Sequence, residues 1–249
     1  LLRNISRDEQ TKRKLLKAAG LVFARKGFRR ATVREICLRA GVNVACIAYH
    51  FGGKAGLYES VLTAAHEEAM RRYPPDLGLP PEAPARDRLT AYVHSFLLRL
   101  VGPDSCSWHG RIMNWELNEP TEVLGAHLRR SILPNVRILQ RVVAEIVGCG
   151  EEDETTLLCT QSIVGQCRHY ALARPILAVL FPGQRQDARG IEQLATHITA
   201  FSLAGLTHFR EQGPCQGQPR TPGQEPDPGP DQEPEPAEEP GPDQPESGF

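Results

Sequence analysis

The sequence is short of several features, and each absence narrows the field. Its seven cysteines, Cys37, Cys46, Cys106, Cys149, Cys159, Cys167 and Cys215, are odd in number and never form a C-x-x-C pair. Neither a zinc site nor a disulfide framework is indicated, and free, mostly buried thiols in a reducing compartment are expected. No long apolar run occurs. The most apolar late stretch, Ala171 to Phe181, is interrupted by Arg174 and Pro175, and nothing near the start resembles a signal peptide. The chain therefore reads as a cytoplasmic protein with no membrane span. Catalytic signatures are missing too. The eight histidines are dispersed without His-x-x-x-His or Glu-x-x-His metal spacing, and there is no glycine-rich phosphate loop or G-x-S-x-G elbow. An enzyme is disfavoured and no cofactor is called for. Period-two alternation, hairpin signals and internal repeats are also lacking, which excludes a β fold.

What is present is charge of opposite sign at the two ends. Residues 1–54 hold thirteen Lys/Arg against three Asp/Glu, and residues 213–249 hold one Arg against nine acids, although the whole chain nets −1. A basic head on a near-neutral body suits a domain that meets phosphates. The acidic end carries eleven prolines and almost nothing apolar. It cannot bury enough surface to offset the entropy of ordering, so 213–249 is expected to be a disordered tail. Solvation is its simplest role. Competition with DNA for the basic head is the alternative.

Apolar residues at helical spacing predict an all-α fold. A first helix runs through Leu15, Leu16, Ala19, Val22 and Phe23 and stops at Gly27. Thr32-Val33-Arg34-Glu35 matches a capping box, with Thr32 as N-cap and Glu35 reaching back. That second helix ends at Ala40-Gly41. A third starts at Asn43 and ends before Gly52-Gly53, and a fourth opens at Lys54. Two short helices around an Ala-Gly-Val turn form a helix-turn-helix. Ile36, Ile47 and Phe51 are expected to face inward, leaving Asn43, Val44, Ala45, Ala48, Tyr49 and His50 outward, where a helix meets base edges in a major groove. Beyond a connector at 73–85 with five prolines, further helices are predicted over 86–100, around Trp108 to Leu117, over 123–147 with a break at Pro134, over 155–180 with a perturbation at Pro175, and over 191–209. The division expected is a reading head at 1–54, a helical effector and dimerisation part at 55–212, and the tail.

Thr32-Val-Arg-Glu-Ile, Ala40-Gly41-Val42, the run from Ile47 through Tyr49-His50-Phe51-Gly-Gly-Lys54, and Leu57-Tyr58 resemble the TetR/AcrR family of regulators. Gly165-Gln166-Cys167 with Ala173-Arg174-Pro175 looks like its CerR-like branch. The resemblance implies a homodimer of nine- or ten-helix subunits with paired recognition helices in successive major grooves of double-stranded operator DNA. By position it implies Asn43, Val44, Ala45 and Ala48 at base edges, Cys46, Tyr49 and Lys54 near phosphates, His50 at either, and Thr32 and Arg34 near the backbone. It also implies repression, and release by a small-molecule effector held among Phe96, Trp108, Arg111, Ile112, Trp115, Glu116 and His127; Arg168 and His169, in an otherwise apolar helix, are candidates either for that cavity or for the dimer seam. The residues themselves leave plain core packing open for that second group. A nonspecific DNA-binding or adaptor protein is the competing reading of the head, and it predicts equal affinity for random and operator duplexes.

Overall fold

A computed structural model describes residues 6–102, 108–185 and 187–212, apart from the side chain of His109. The expected tail at 213–249 lies outside these residues. Every regular element among them is helical, in the order α1 (Arg7–Arg30), α2 (Val33–Ala40), α3 (Ala45–Phe51), α4 (Lys54–Arg72), α5 (Ala85–Val101), α6 (Trp108–Asn118), α7 (Glu122–His127), a π turn (Leu128–Ile132), α8 (Leu133–Val147), α9 (Glu154–Leu172), α10 (Arg174–Leu180) and α11 (Ala188–Glu211).

Local chemistry explains most of the boundaries. Ser6 caps α1 by accepting from the Glu9 N–H at 3.2 Å, and Asp8 and Glu9 sit in the positively polarised first turn. Gly27 takes φ 72°, ψ 177°, so the stop expected there is a kink. It turns Phe28 toward Tyr58, whose ring centroid is 4.9 Å away. Thr32 does cap α2, accepting from the Glu35 N–H at 3.2 Å. Glu35, however, accepts from Lys26 Nζ at 2.7 Å, so the reciprocal half of the capping box is replaced by an ion pair to α1. Gly41, at φ 67°, closes α2 in the left-handed conformation that a side chain resists.

Pro134, near the start of α8, has no N–H to offer the preceding turn. The break expected there is the π turn just before it. The expected perturbation at Pro175 is the gap at Ala173 between α9 and α10. Cys37, Cys46, Cys159 and Cys167 are free thiols, whereas Cys149 is disulfide-bonded, which corrects the expectation of free thiols throughout.

Two apolar cores result. The first gathers Leu15, Ala19, Val22 and Phe23 of α1, Ile36 of α2, Ile47 of α3, Leu57, Tyr58, Val61 and Leu62 of α4, and Ile112 of α6. It thus runs past residue 54 into α4 and α6. The second lies among α5, α8, α9 and α11, around Leu89, Val93, Leu97, Leu139, Val143, Ile163, Cys167 and Ile198. The connector after α4 is anchored where Ser95 Oγ donates to the Tyr73 carbonyl at 2.8 Å.

Candidate nucleic-acid interface and effector cavity

The turn between α2 and α3 is held by backbone bonds. The Val42 N–H donates to the Cys37 carbonyl at 3.1 Å, and Val42 packs against the first core. Asn43 Oδ1 accepts from the Ala45 N–H at 2.9 Å. The amide oxygen of Asn43 is therefore committed to starting α3, and its NH2 group remains for an outside acceptor. Ile47 is buried and fixes one face of α3. The opposite face presents Val44, Ala45, Ala48 and Tyr49 to solvent. Tyr49 is 80% exposed, with its ring edge-on to that of His50 at 4.8 Å.

His50 does not join that face. Its side chain is only 6% exposed and lies 3.7 Å from Asp8 of α1 through Nδ1, with Phe51 edge-on to its ring. The outward placement of His50 is corrected because the start of α1 crosses the last turn of α3 and covers it. Cys46 is half-buried against the first core. Thr32 and Arg34 are exposed at the start of α2, and Arg34 joins no ion pair among the described residues. Lys54 lies with Nζ 4.5 Å from the Phe28 ring centroid and 3.4 Å from the Arg29 carbonyl. Burial pushes its ammonium below the usual lysine range. Arg29 and Arg30 lie 4.0 Å and 3.7 Å from Glu119, just past the end of α6, and both stay largely exposed.

The second group of expected site residues is not brought together. Trp108, Ile112 and Trp115 face α1. The indole N–H of Trp115 donates to the Ala24 carbonyl at 3.2 Å, and Gly20 and Gly27 leave the room that the two indoles occupy. A Cβ on Gly27 would stand 3.0 Å from the Trp115 ring, and one on Gly20 would collide with the Trp108 ring. Glu116 is buried, accepting from the Tyr58 hydroxyl at 2.5 Å and from the Thr121 N–H at 2.9 Å. Burial and this carboxylate drive the Tyr58 pKa above the ordinary phenol range. Arg111 and His169 are exposed. His127 is buried with its ring 5.8 Å from that of His66. The α1–α6 seam thus holds Trp108, Ile112 and Trp115, Glu116 joins α4 to α6, and His127 packs beside His66.

A cavity of about 130 Å³ does exist between α4, α5, α6, α8 and α9, and of the expected residues Phe96 and Arg168 line it. Sequence reasoning missed His66, Met70, Tyr92, Arg99, Met113 and Asn135 on its wall. The signal for Arg99 was a charge set between Leu98 and Leu100 in an apolar helix. Asn135 Nδ2 lies 3.1 Å from His66 Nε2, and burial, then His127 and Arg99, push the His66 pKa down to about 4. A larger cleft of about 550 Å³ borders α10 and α11. It touches neither α4 nor α6, whereas the smaller cavity touches both.

Residues 15–61 match the family model for bacterial regulatory proteins of the tetR family. Residues 85–206 match the model for the C-terminal domain of the HTH-type transcriptional dual regulator CecR.

The chain belongs to the TetR family.

Within it, the second match places the chain in the CecR branch, the one the sequence resemblance named CerR-like. This TetR-family regulator is 28% identical over 182 residues to the dual regulator CecR of Shigella flexneri, spanning 68% of this chain and 78% of that protein. It is 46% identical over 57 residues to the probable regulator YttP of Bacillus subtilis, 23% of this chain and 28% of YttP. Among solved structures, a putative transcriptional regulator from Pseudomonas aeruginosa PAO1 superposes with TM-score 0.61 at 25% identity, covering 83% of this chain and 97% of that one. The regulator FadR from Bacillus subtilis in complex with stearoyl-CoA shares the fold, with TM-score 0.58 at 19% identity over 78% of this chain and 98% of that one. As a member of this family the chain is a DNA-binding transcriptional regulator.

Proposed function

We propose that this regulator represses transcription in the cytoplasm by binding a palindromic operator as a homodimer, and that a small-molecule effector releases it. The observation that carries the reading is the bare outer face of α3 on a rigid support. Ala45, Ala48 and Tyr49 stand out from a helix whose other side is buried, with Asn43 and Val44 at its start and Arg34 nearby. Small apolar side chains touch thymine methyls but make no bidentate bonds to bases. Selectivity then rests on the Asn43 NH2 group, on methyl contacts and on DNA shape, while Tyr49, Arg34, Thr32 and Lys54 meet phosphates.

Dimerisation uses α9 and α11, where Leu158 and Phe201 are exposed, at 55% and 65%, beside Gly165, Ala200, Ala204 and Gly205. Small residues flanking large apolar ones permit close helix approach across a two-fold axis. The division of labour is a head at 1–54 that reads DNA and a part at 55–212 that pairs subunits and senses the effector.

Release follows from helices with two faces. α6 sets Trp108 and Ile112 against the first core and Trp115 against Ala24 of α1, with Gly110 and Asn114 on the cavity wall and Met113 reaching both. α4 sets Leu57, Tyr58 and Val61 in the same core and His66, Ala69 and Met70 on the cavity. The Tyr58–Glu116 bond joins these two helices, and α4 packs on α3. A ligand that spreads the cavity therefore shifts α4 and α6 and with them the pair of α3 helices. FadR, solved with stearoyl-CoA, supports a small-molecule role for this fold.

Selection of bound duplexes from a random pool tests the reading. A two-fold symmetric site preferred at least about 10³-fold over random DNA is expected. Arg34→Ala should weaken all duplexes alike and flatten the salt slope by about one. Equal affinity for every duplex would favour the nonspecific alternative instead.

A further inference from the structure

We infer that the cavity between α4, α5, α6, α8 and α9 takes a compact monocarboxylate with an apolar body, its carboxylate held by Arg99 and Arg168. This deepens the effector reading and rests on it only for the consequence at DNA.

Among the described residues the wall carries two guanidinium groups and no Asp or Glu. Among the described residues neither Arg99 nor Arg168 makes an ion pair with a carboxylate. The partners of Arg99 are uncharged, and the Tyr92 hydroxyl is among them. The Arg99 Nη1 lies 2.6 Å from Met70 Sδ, its guanidinium carbon is 5.4 Å from the Phe96 ring centroid and 6.0 Å from that of Tyr92, and its buried Nε has no hydrogen-bond partner. Burial lowers the pKa of both arginines, which means that their surroundings disfavour the charge. Arginine does not relieve this by losing a proton. An enclosed cation without a counter-ion is costly, and a bound anion removes that cost.

The rest of the wall sets the remainder of the ligand. Leu100, Met113, Ile132, Val136, Val164 and Leu172 are apolar, so an inorganic anion alone would leave most of the wall without contacts. At about 130 Å³ the space is close to an apolar cavity of ~150 Å³ that admits benzene. His66 is neutral near pH 7, so the two guanidinium forks are the charged donors facing the space. A fork pairs two parallel N–H groups with the two oxygens of one carboxylate. The fitting class is an aromatic or short-chain acid with a single negative charge.

Isothermal titration of the full chain with benzoate, benzamide and benzylamine tests this. Benzoate is expected to bind at least tenfold tighter than the isosteric neutral benzamide, and benzylamine to bind more weakly still. Arg99→Met and Arg168→Met should each cost benzoate tenfold or more and leave benzamide where it was, and retained benzamide binding also reports that the cavity has folded. Equal affinity for benzoate and benzamide in the unmodified protein overturns the inference, whatever the variants do, and so does benzoate binding that survives both substitutions. A protein that binds its selected operator but takes up no benzoate overturns the inference and leaves the regulator reading standing. Benzoate binding that depends on the arginines yet leaves operator affinity unchanged supports the ligand class and removes release as the mechanism.

Discussion

At the scale of single residues, the buried polar groups mark where the packed fold borders the cavity. His66 stands at the cavity with its pKa pushed down to about 4 by burial, His127 and Arg99. Its unfolded side chain titrates near 6.5. Between those values the unfolded chain holds a proton that the folded chain rejects. The contribution of the neutral imidazole is therefore fully present above about pH 6.5 and is lost as the pH falls toward 4. Urea unfolding at pH 7 and pH 5 should show the protein losing about 2 kcal/mol more than the His66→Gln variant over that interval. Identical pH dependence in the two proteins would contradict the depressed pKa. Asn43 illustrates the opposite economy. One amide end starts α3 and the other stays outside, so a single side chain both builds the recognition helix and contributes to its surface.

Among the helices, the seam between α1 and α6 decides how the head is held. Gly20 and Gly27 are seven apart on α1, and Trp108 and Trp115 are seven apart on α6. Seven residues are about two helical turns, so both pairs recur on one side of their helix. Each indole rests over a glycine. Gly20→Ala puts a methyl where the Trp108 ring stands, and overpacking of that kind costs about 1–3 kcal/mol. Chemical denaturation should show that loss, and the double variant Gly20→Ala, Trp108→Leu should recover part of it, because residues in contact couple. Losses that simply add would mean that the two side chains do not meet. Beside the seam, Arg29 and Arg30 lie close to Glu119, just past α6.

For the molecule as a whole, the proposed function needs two copies. A single α3 of seven residues reaches too few base pairs for selectivity, and a two-fold pair doubles the site. Phe201, 65% exposed on α11, belongs to the face proposed to pair. Phe201→Glu places a charge where the partner's apolar face would sit. Sedimentation should show a monomer with unchanged helical content, and operator binding should fall by at least about 100-fold as two-site avidity is lost. A Phe201→Glu protein that remains dimeric would move the interface to another face.

Much of this was legible in the sequence, and the reason is range. The helix-turn-helix depends on signals within a few residues of each other: Thr32 as a cap, Gly41 and Gly52 at positive φ, and apolar residues at helical spacing. Local hydrogen bonding and backbone sterics determine such elements, so the amino-acid order alone specified α2, the turn and α3, and the family with them. Which face each helix turns to which neighbour is a matter of contacts between residues dozens of positions apart, and periodicity carries no record of the partner. Trp108, Ile112 and Trp115 were readable as buried, but only packing decided that they meet α1 rather than a ligand. His50 was readable as part of α3, but only the crossing of α1 near Asp8 took it from the outer face. Arg99 and Arg168 stand far apart in the chain, and it took the tertiary assembly of α5 and α9 to bring their charges to one enclosed space.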